Sequence, residues 1–163
     1  MSSRTQLINW LNDAYAMEQA LEETLERHVK DVEGDPEVHA RIQRHIEETR
    51  GQAEVVKGCV ESLGGKVSGS KNAFANMFGS LQGMANKPAK DTMVKNALAD
   101  YAVEHFEIAC YKALIEASRS LGEEAIAGKL TIILREEEAM ARFLEEKLPR
   151  TVRSSLAAAE HDG

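Results

Sequence analysis

The chain has 163 residues, 43% of them hydrophobic, 5% aromatic and 29% charged, with a formal net charge of −7. That size suits one domain with a proper core, and an acidic balance without a Lys/Arg stripe excludes non-specific nucleic-acid binding and favours cations as guests. No apolar run approaches the roughly 20 residues of a membrane span, and the two cysteines, Cys59 and Cys110, read as buried free thiols rather than a disulfide scaffold.

The opening segment MSSRTQLINWLNDAY holds no apolar signal block, so a cytoplasmic protein is expected. With only three prolines and much Ala, Glu and Leu, the chain favours helix throughout. A first helix is expected from about Thr5 to about Asp31. Within it Leu7, Leu11, Ala14, Glu18, Leu21 and Leu25 alternate four and three residues apart, the spacing of one packed seam with a carboxylate in its middle. Gly34-Asp35-Pro36 supplies a tight turn with proline opening the next helix.

That second helix runs from Pro36 to about Leu63 and stops at Gly64-Gly65. His45, Glu48 and Gln52 can share a face with Val38, Ile42, Val56 and Cys59. Next comes GGKVSGSKNAFANMFGSLQGMANKP, much the longest link; its lysines Lys66, Lys71, Lys87 and Lys90 suit solubility. Phe74, Phe78 and Leu81 have helical spacing there, which predicts a short helix packed across the bundle or, equally, a dimer contact.

The third helix is expected from about Lys90 to Ser120, with Glu104 and Glu107 on one side together with Tyr101, Tyr111 and Leu114. After Leu121-Gly122 the fourth helix starts at Glu123 and runs to Pro149. It repeats the first seam: Ile126, Leu130, Ile133, Glu137, Met140 and Leu144. Residues 150–163 read as a loosely ordered tail beyond a domain of residues 1–149.

Short links join antiparallel neighbours, whereas the long one can travel the roughly 40 Å of a helix this size. The fold class is therefore all-α, a four-helix bundle with one long crossover connection. A weak internal repeat matches Glu18 to Glu107 and Glu47-Glu48 to Glu136-Glu137, which makes the two hairpins similar. If a pseudo-twofold relates them, each helix brings one glutamate inward: Glu18, Glu48, Glu107 and Glu137. His45 and Glu104 lie one turn or less from this level.

An unpaired carboxylate in a seam costs at least several kcal/mol, so it must be neutral, partnered or bound to metal. No Arg or Lys belongs to either glutamate seam. Roughly four carboxylates balance two divalent ions of iron or manganese and leave positions open; calcium prefers loop oxygens, and structural zinc prefers cysteine or histidine. The plain alternatives are exposed acids at Glu48 and Glu107 and a satisfied, half-buried His45. His28 and His39 look superficial, and His105 points away from the seam.

Asp13-Ala14-Tyr15-Ala16-Met17-Glu18, His45-Ile46-Glu47-Glu48-Thr49, Val103-Glu104-His105-Phe106-Glu107-Ile108-Ala109-Cys110-Tyr111 and Arg135-Glu136-Glu137-Glu138-Ala139 together carry a resemblance. From about Leu7 to Leu148 the chain resembles the YciE/YciF-like branch of the ferritin-like superfamily, small bacterial bundles often described as stress-associated. The resemblance implies a ferritin-like fold, a homodimer, and a two-metal carboxylate site led by Glu18, Glu48, Glu107 and Glu137; His45, one turn before Glu48, and Glu104 are expected as auxiliary ligands. It departs from the common ferritin-like pattern in one respect: Gly51 and Met140, not histidine, stand three residues after Glu48 and Glu137.

The function expected is that of a protein binding two divalent metal ions, iron before manganese, and reacting with oxygen or peroxide in metal handling or oxidative-stress defence. Enzymatic turnover, as a di-iron oxidase or peroxidase, stays open. The alternative is a metal-free helical bundle with a structural or interaction role in stress. Neither nucleic acid nor membrane is expected as a partner.

Overall fold

The computed structural model describes residues 1–68 and 91–161. Four long helices fill them: α1 (Ser3–Asp31), α2 (Pro36–Ser62), α3 (Thr92–Ser120) and α4 (Glu124–His161). The short helix expected around Phe74, Phe78 and Leu81 falls outside the described residues.

The helix ends follow from local chemistry. Ser2 caps α1 by accepting from the Thr5 N–H at 3.1 Å, and Asp35 caps α2 by accepting from Val38 at 3.3 Å, with Pro36 in the first turn. α2 stops at Gly64, whose φ of +82° only glycine adopts freely, while the Gly65 N–H returns to the Val60 carbonyl at 3.0 Å. Gly122, at φ +74°, reverses the chain between α3 and α4 in the same manner.

The tail expected beyond Pro149 is helical instead: α4 continues to His161 with the proline inside it. Proline removes the N–H that would serve the Glu145 carbonyl, yet both residues are exposed, so water can take that bond. Lys147 pairs with Glu37 at 2.6 Å and Arg150 with Asp35 at 3.4 Å, and both hold this stretch against the start of α2.

α1 packs along α2 and α3 along α4, while α1 faces α3 and α2 faces α4 between the hairpins. Cross-helix partners give the directions. Asp31 meets Asn96, His28 meets Asp100 and Glu18 meets Tyr111, so α1 and α3 are antiparallel. Arg4 reaches the Leu63 carbonyl at 3.4 Å, which puts the end of α2 beside the start of α1, opposite the start of α3. The sequence from α2 to α3 is therefore the crossover, and the topology is a four-helix bundle of up-down-down-up order.

Among the described residues, two apolar clusters fill the interior. The larger, including Leu7, Leu11, Val56, Leu63, Leu114 and Leu130, occupies the end where α1 begins. The smaller, built on Leu25, Val32, Ile42, Ile46, Met140 and Leu144, occupies the end with the α1–α2 turn. A polar layer lies between them. Among the described residues, no helix is long and apolar enough to cross a membrane.

Candidate metal centre

The two glutamate seams are buried along their whole length. Glu18 and Glu137 are each 0% exposed, between Ala14 and Leu21 on α1 and between Ile133 and Met140 on α4. Glu104 and Glu107 enter the same layer from α3, and His45 enters it from α2. One donor atom from each of His45, Glu104, Glu107 and Glu137 lies within 4.8 Å of the others.

His45 is held on both sides. Its Nε2 lies 3.0 Å from Glu104 Oε1 and 3.6 Å from Glu137 Oε2, while its Nδ1 lies 2.9 Å from Glu48 Oε2. The Tyr111 hydroxyl donates to Glu18 Oε1, and Gln52 Nε2 donates to Glu137 and, at 2.8 Å, to Glu136 Oε2. Even so, Glu18 Oε2, Glu104 Oε2, Glu107 Oε1 and Glu137 Oε2 are buried with no hydrogen-bond partner. Orphaned oxygens of this kind are rare in folded proteins, and four at one level leave room for a cation to satisfy them.

The electrostatics agree with that geometry. Burial pushes the Glu18 carboxyl up to about 8, against the pull of the Tyr111 hydrogen bond and of His45. Burial also raises Glu107 and Glu137 well above the usual carboxylate range, helped at Glu107 by repulsion from Glu137, Glu18 and Glu104 and at Glu137 by repulsion from Glu104 and Glu18. For His45 burial favours the neutral ring, but Glu104, Glu48 and Glu137 outweigh it and favour the imidazolium. Bringing a divalent cation into the layer would reverse the balance for the acids, since positive charge favours their ionised forms.

Glu48 stands apart from the layer. Its oxygens accept from Arg41 at 3.2 Å and Arg44 at 3.0 Å, and although burial opposes ionisation, His45 and Arg41 pull its carboxyl down to about 2. The buried stripe of α2 explains the placement: Ile42, His45, Thr49, Gln52, Val56 and Cys59 follow at three and four residues, so Thr49 occupies the seam and Glu48 lies beside it.

Other expectations shift by similar small rotations. His28, read from the sequence as superficial, is 6% exposed and bonded to Asp100 at 2.7 Å. Asn96 and Asp100, unremarked in the sequence, are buried, whereas Tyr101 is only half-buried. Extending the Glu104/Glu107 face two turns backward at intervals of four would have found both. Tyr111, which spacing puts on the Glu104/Glu107 side, is fully buried there. Cys59 is buried and Cys110 half-buried, and both are free thiols.

A four-helix bundle in which a long crossover joins two antiparallel hairpins around a mid-height layer of carboxylates belongs to the ferritin-like class of folds. Residues 2–157 match the family described as "Domain of unknown function (DUF892)", and the chain belongs to that family. A protein of Xanthomonas campestris pv. campestris is 34% identical over 98% of this chain and 99% of its own, with a TM-score of 0.84. YcfI of Rhodopseudomonas palustris, provisionally described as a structural protein, is 28% identical over 89% of this chain and 94% of its own, with a TM-score of 0.80. The E. coli stress protein YciF shares the fold at a TM-score of 0.82, with 24% identity over 94% of this chain and 98% of its own. These findings agree with the YciE/YciF-like resemblance read from the sequence.

Proposed function

We propose that the protein holds two divalent metal ions, iron in preference to manganese, in the polar layer and uses them in reaction with oxygen or peroxide. The observation that carries this reading is the compact set of His45, Glu104, Glu107 and Glu137, three of whose carboxylates keep a buried, unpartnered oxygen, with a fourth such oxygen on neighbouring Glu18. Four carboxylates balance the four charges of two divalent ions, and an oxygen-rich set with one imidazole suits iron or manganese. Bound there, such ions supply one-electron redox chemistry toward oxygen or peroxide.

The chain's own groups supply the setting. Glu18, Glu104, Glu107 and Glu137 are the leading ligands, with His45 Nε2 as a nitrogen donor. Tyr111 orients Glu18, and Gln52 orients Glu137. Glu48, fixed by two arginines, acts on the layer through His45 Nδ1, directing the other ring nitrogen inward. The apolar clusters above and below limit water and the release of reactive species.

Anaerobic loading with ferrous ion, elemental analysis and exposure to air test this. About two equivalents per chain are expected, followed by ferric absorbance in air. The double variant Glu18→Ala, Glu137→Ala is expected to lose metal while remaining helical. Absence of bound metal and of any ferric absorbance sinks the reading.

A metal-free structural bundle is favoured by one observation: the raised carboxyls of Glu18, Glu107 and Glu137 lie within reach of hydrogen bonds to one another or to neighbours. Melting with and without chelator separates the two, because only a bound ion raises stability by mass action.

A further inference from the structure

At the end of the bundle carrying the α1–α2 turn, a second polar group is buried between α1 and α3. His28 Nδ1 and Asp100 Oδ1 lie 2.7 Å apart, both residues 6% exposed. One turn nearer the end, Asn96 is 4% exposed; its Nδ2 donates to Asp31 Oδ2 at 2.7 Å, and its buried Oδ1 has no partner. His28, Asn96 and Asp100 line a cavity of about 40 Å³, with Asp35 and Lys147 among its other walls.

Asp100 also lines a second, smaller cavity of about 10 Å³, whose wall includes Thr24, Glu104 and Glu107. That space suits roughly one water molecule. Along α3 the buried residues Asn96, Asp100, Glu104 and Glu107 follow one another at four, four and three residues, so they share a face. Successive members are roughly one helical pitch, about 5.4 Å, apart. Among the described residues α3 carries no acidic or amide continuation of this ladder toward the other end, where Leu114 and Ile115 join the larger apolar cluster.

We propose that Asn96, Asp100 and His28 form the passage by which a divalent cation reaches the Glu104/Glu107/Glu137/His45 layer from the α1–α2 turn end. It rests on the metal-binding reading. A cation in the outer cavity exchanges hydration water for the free Asn96 Oδ1 and the Asp100 carboxylate, with His28 holding that carboxylate between α1 and α3. The next oxygens it meets, one turn on, are those of Glu104. The spacing lets a new oxygen donor engage before the previous one lets go, which spares the ion a bare crossing of the interior.

Cobalt(II) alone is the probe. Its uptake by metal-free full-length protein is followed by stopped-flow visible absorbance, and stoichiometry is measured by elemental analysis after equilibration. Asp100→Asn keeps the shape but removes the charge, and Asn96→Leu closes the outer cavity with an apolar side chain. Each is expected to slow uptake by about tenfold or more, with equilibrium stoichiometry unchanged. Circular dichroism identifies the folded variants; the near-isosteric Asp100→Asn decides the matter if Asn96→Leu does not fold. Wild-type uptake rates in the folded variants overturn the passage and leave the metal site standing. A wild-type protein that binds no cobalt at equilibrium overturns both.

Discussion

The two ends of this bundle are built to different rules. Where α1 begins, leucines, isoleucines and valines from all four helices close the interior, and Leu11, Val56, Cys59, Leu130 and Tyr111 are fully buried. At the α1–α2 turn, a smaller apolar cluster shares its space with His28, Asn96 and Asp100. The first end gains stability from transfer of side chains out of water; the second gives up part of that gain to keep polar groups inside. One end fixes the bundle, and the other lets it communicate with solvent.

Substitutions can test that division. Leu130→Ala, in the closed end, should have the largest effect: about 2–5 kcal/mol of stability lost in urea melts, with cobalt uptake as fast as in the wild type. Removing the metal should come next, because free ion at a hundredfold excess over Kd adds about 2.7 kcal/mol. That contribution should disappear in chelator, as read by thermal melting.

His28→Leu should cost about 1–3 kcal/mol by leaving Asp100 without its partner, and the same melts measure it. If it instead stabilises the protein, the polar end is kept for something other than folding. Acidity probes the layer between the ends. Folded Glu18 holds its proton up to about 8, whereas an unfolded carboxyl releases it near 4.5. Metal-free protein should therefore lose stability as pH rises from about 5 to 8, and the fall should be shallower with metal bound. Glu48, pulled down to about 2, works in the opposite sense: its contribution is present above about 4.5 and is lost as pH falls toward 2.

The smallest effect belongs to a control outside both ends. Arg50 pairs with Glu22, Glu26 and Glu47 on the exposed surface of α1 and α2. Arg50→Ala should leave both the melting temperature and the uptake rate unchanged.

The seams of α1 and α4 were legible in the sequence because five of the six positions in each are apolar, which leaves no freedom in the rotation of the helix. Glu18 and Glu137 were placed inside by their neighbours. On α2 and α3 polar residues occupy several adjacent positions, and the pattern tolerates rotations of a residue or so. The spacing therefore puts Glu48 on one face with His45, although Thr49 holds the seam, and Tyr101 on the inward face where Asp100 lies. The antiparallel hairpins and the crossover followed from link lengths alone. The continuation of α4 through Pro149 did not, because tolerance of a proline depends on whether the bereft carbonyl faces water.

The polar layer also divides the described core into two hydrophobic bodies. In such a molecule cooperativity is a property of what fills the layer. Without a cation, the smaller body can open as a separate unit, and amide hydrogens near Val32, Ile42 and Leu144 would exchange before those near Leu11 and Leu130. Ions held as proposed, with Glu18 among the ligands, would tie all four helices at their midpoints, so the two bodies would exchange together and unfold as one.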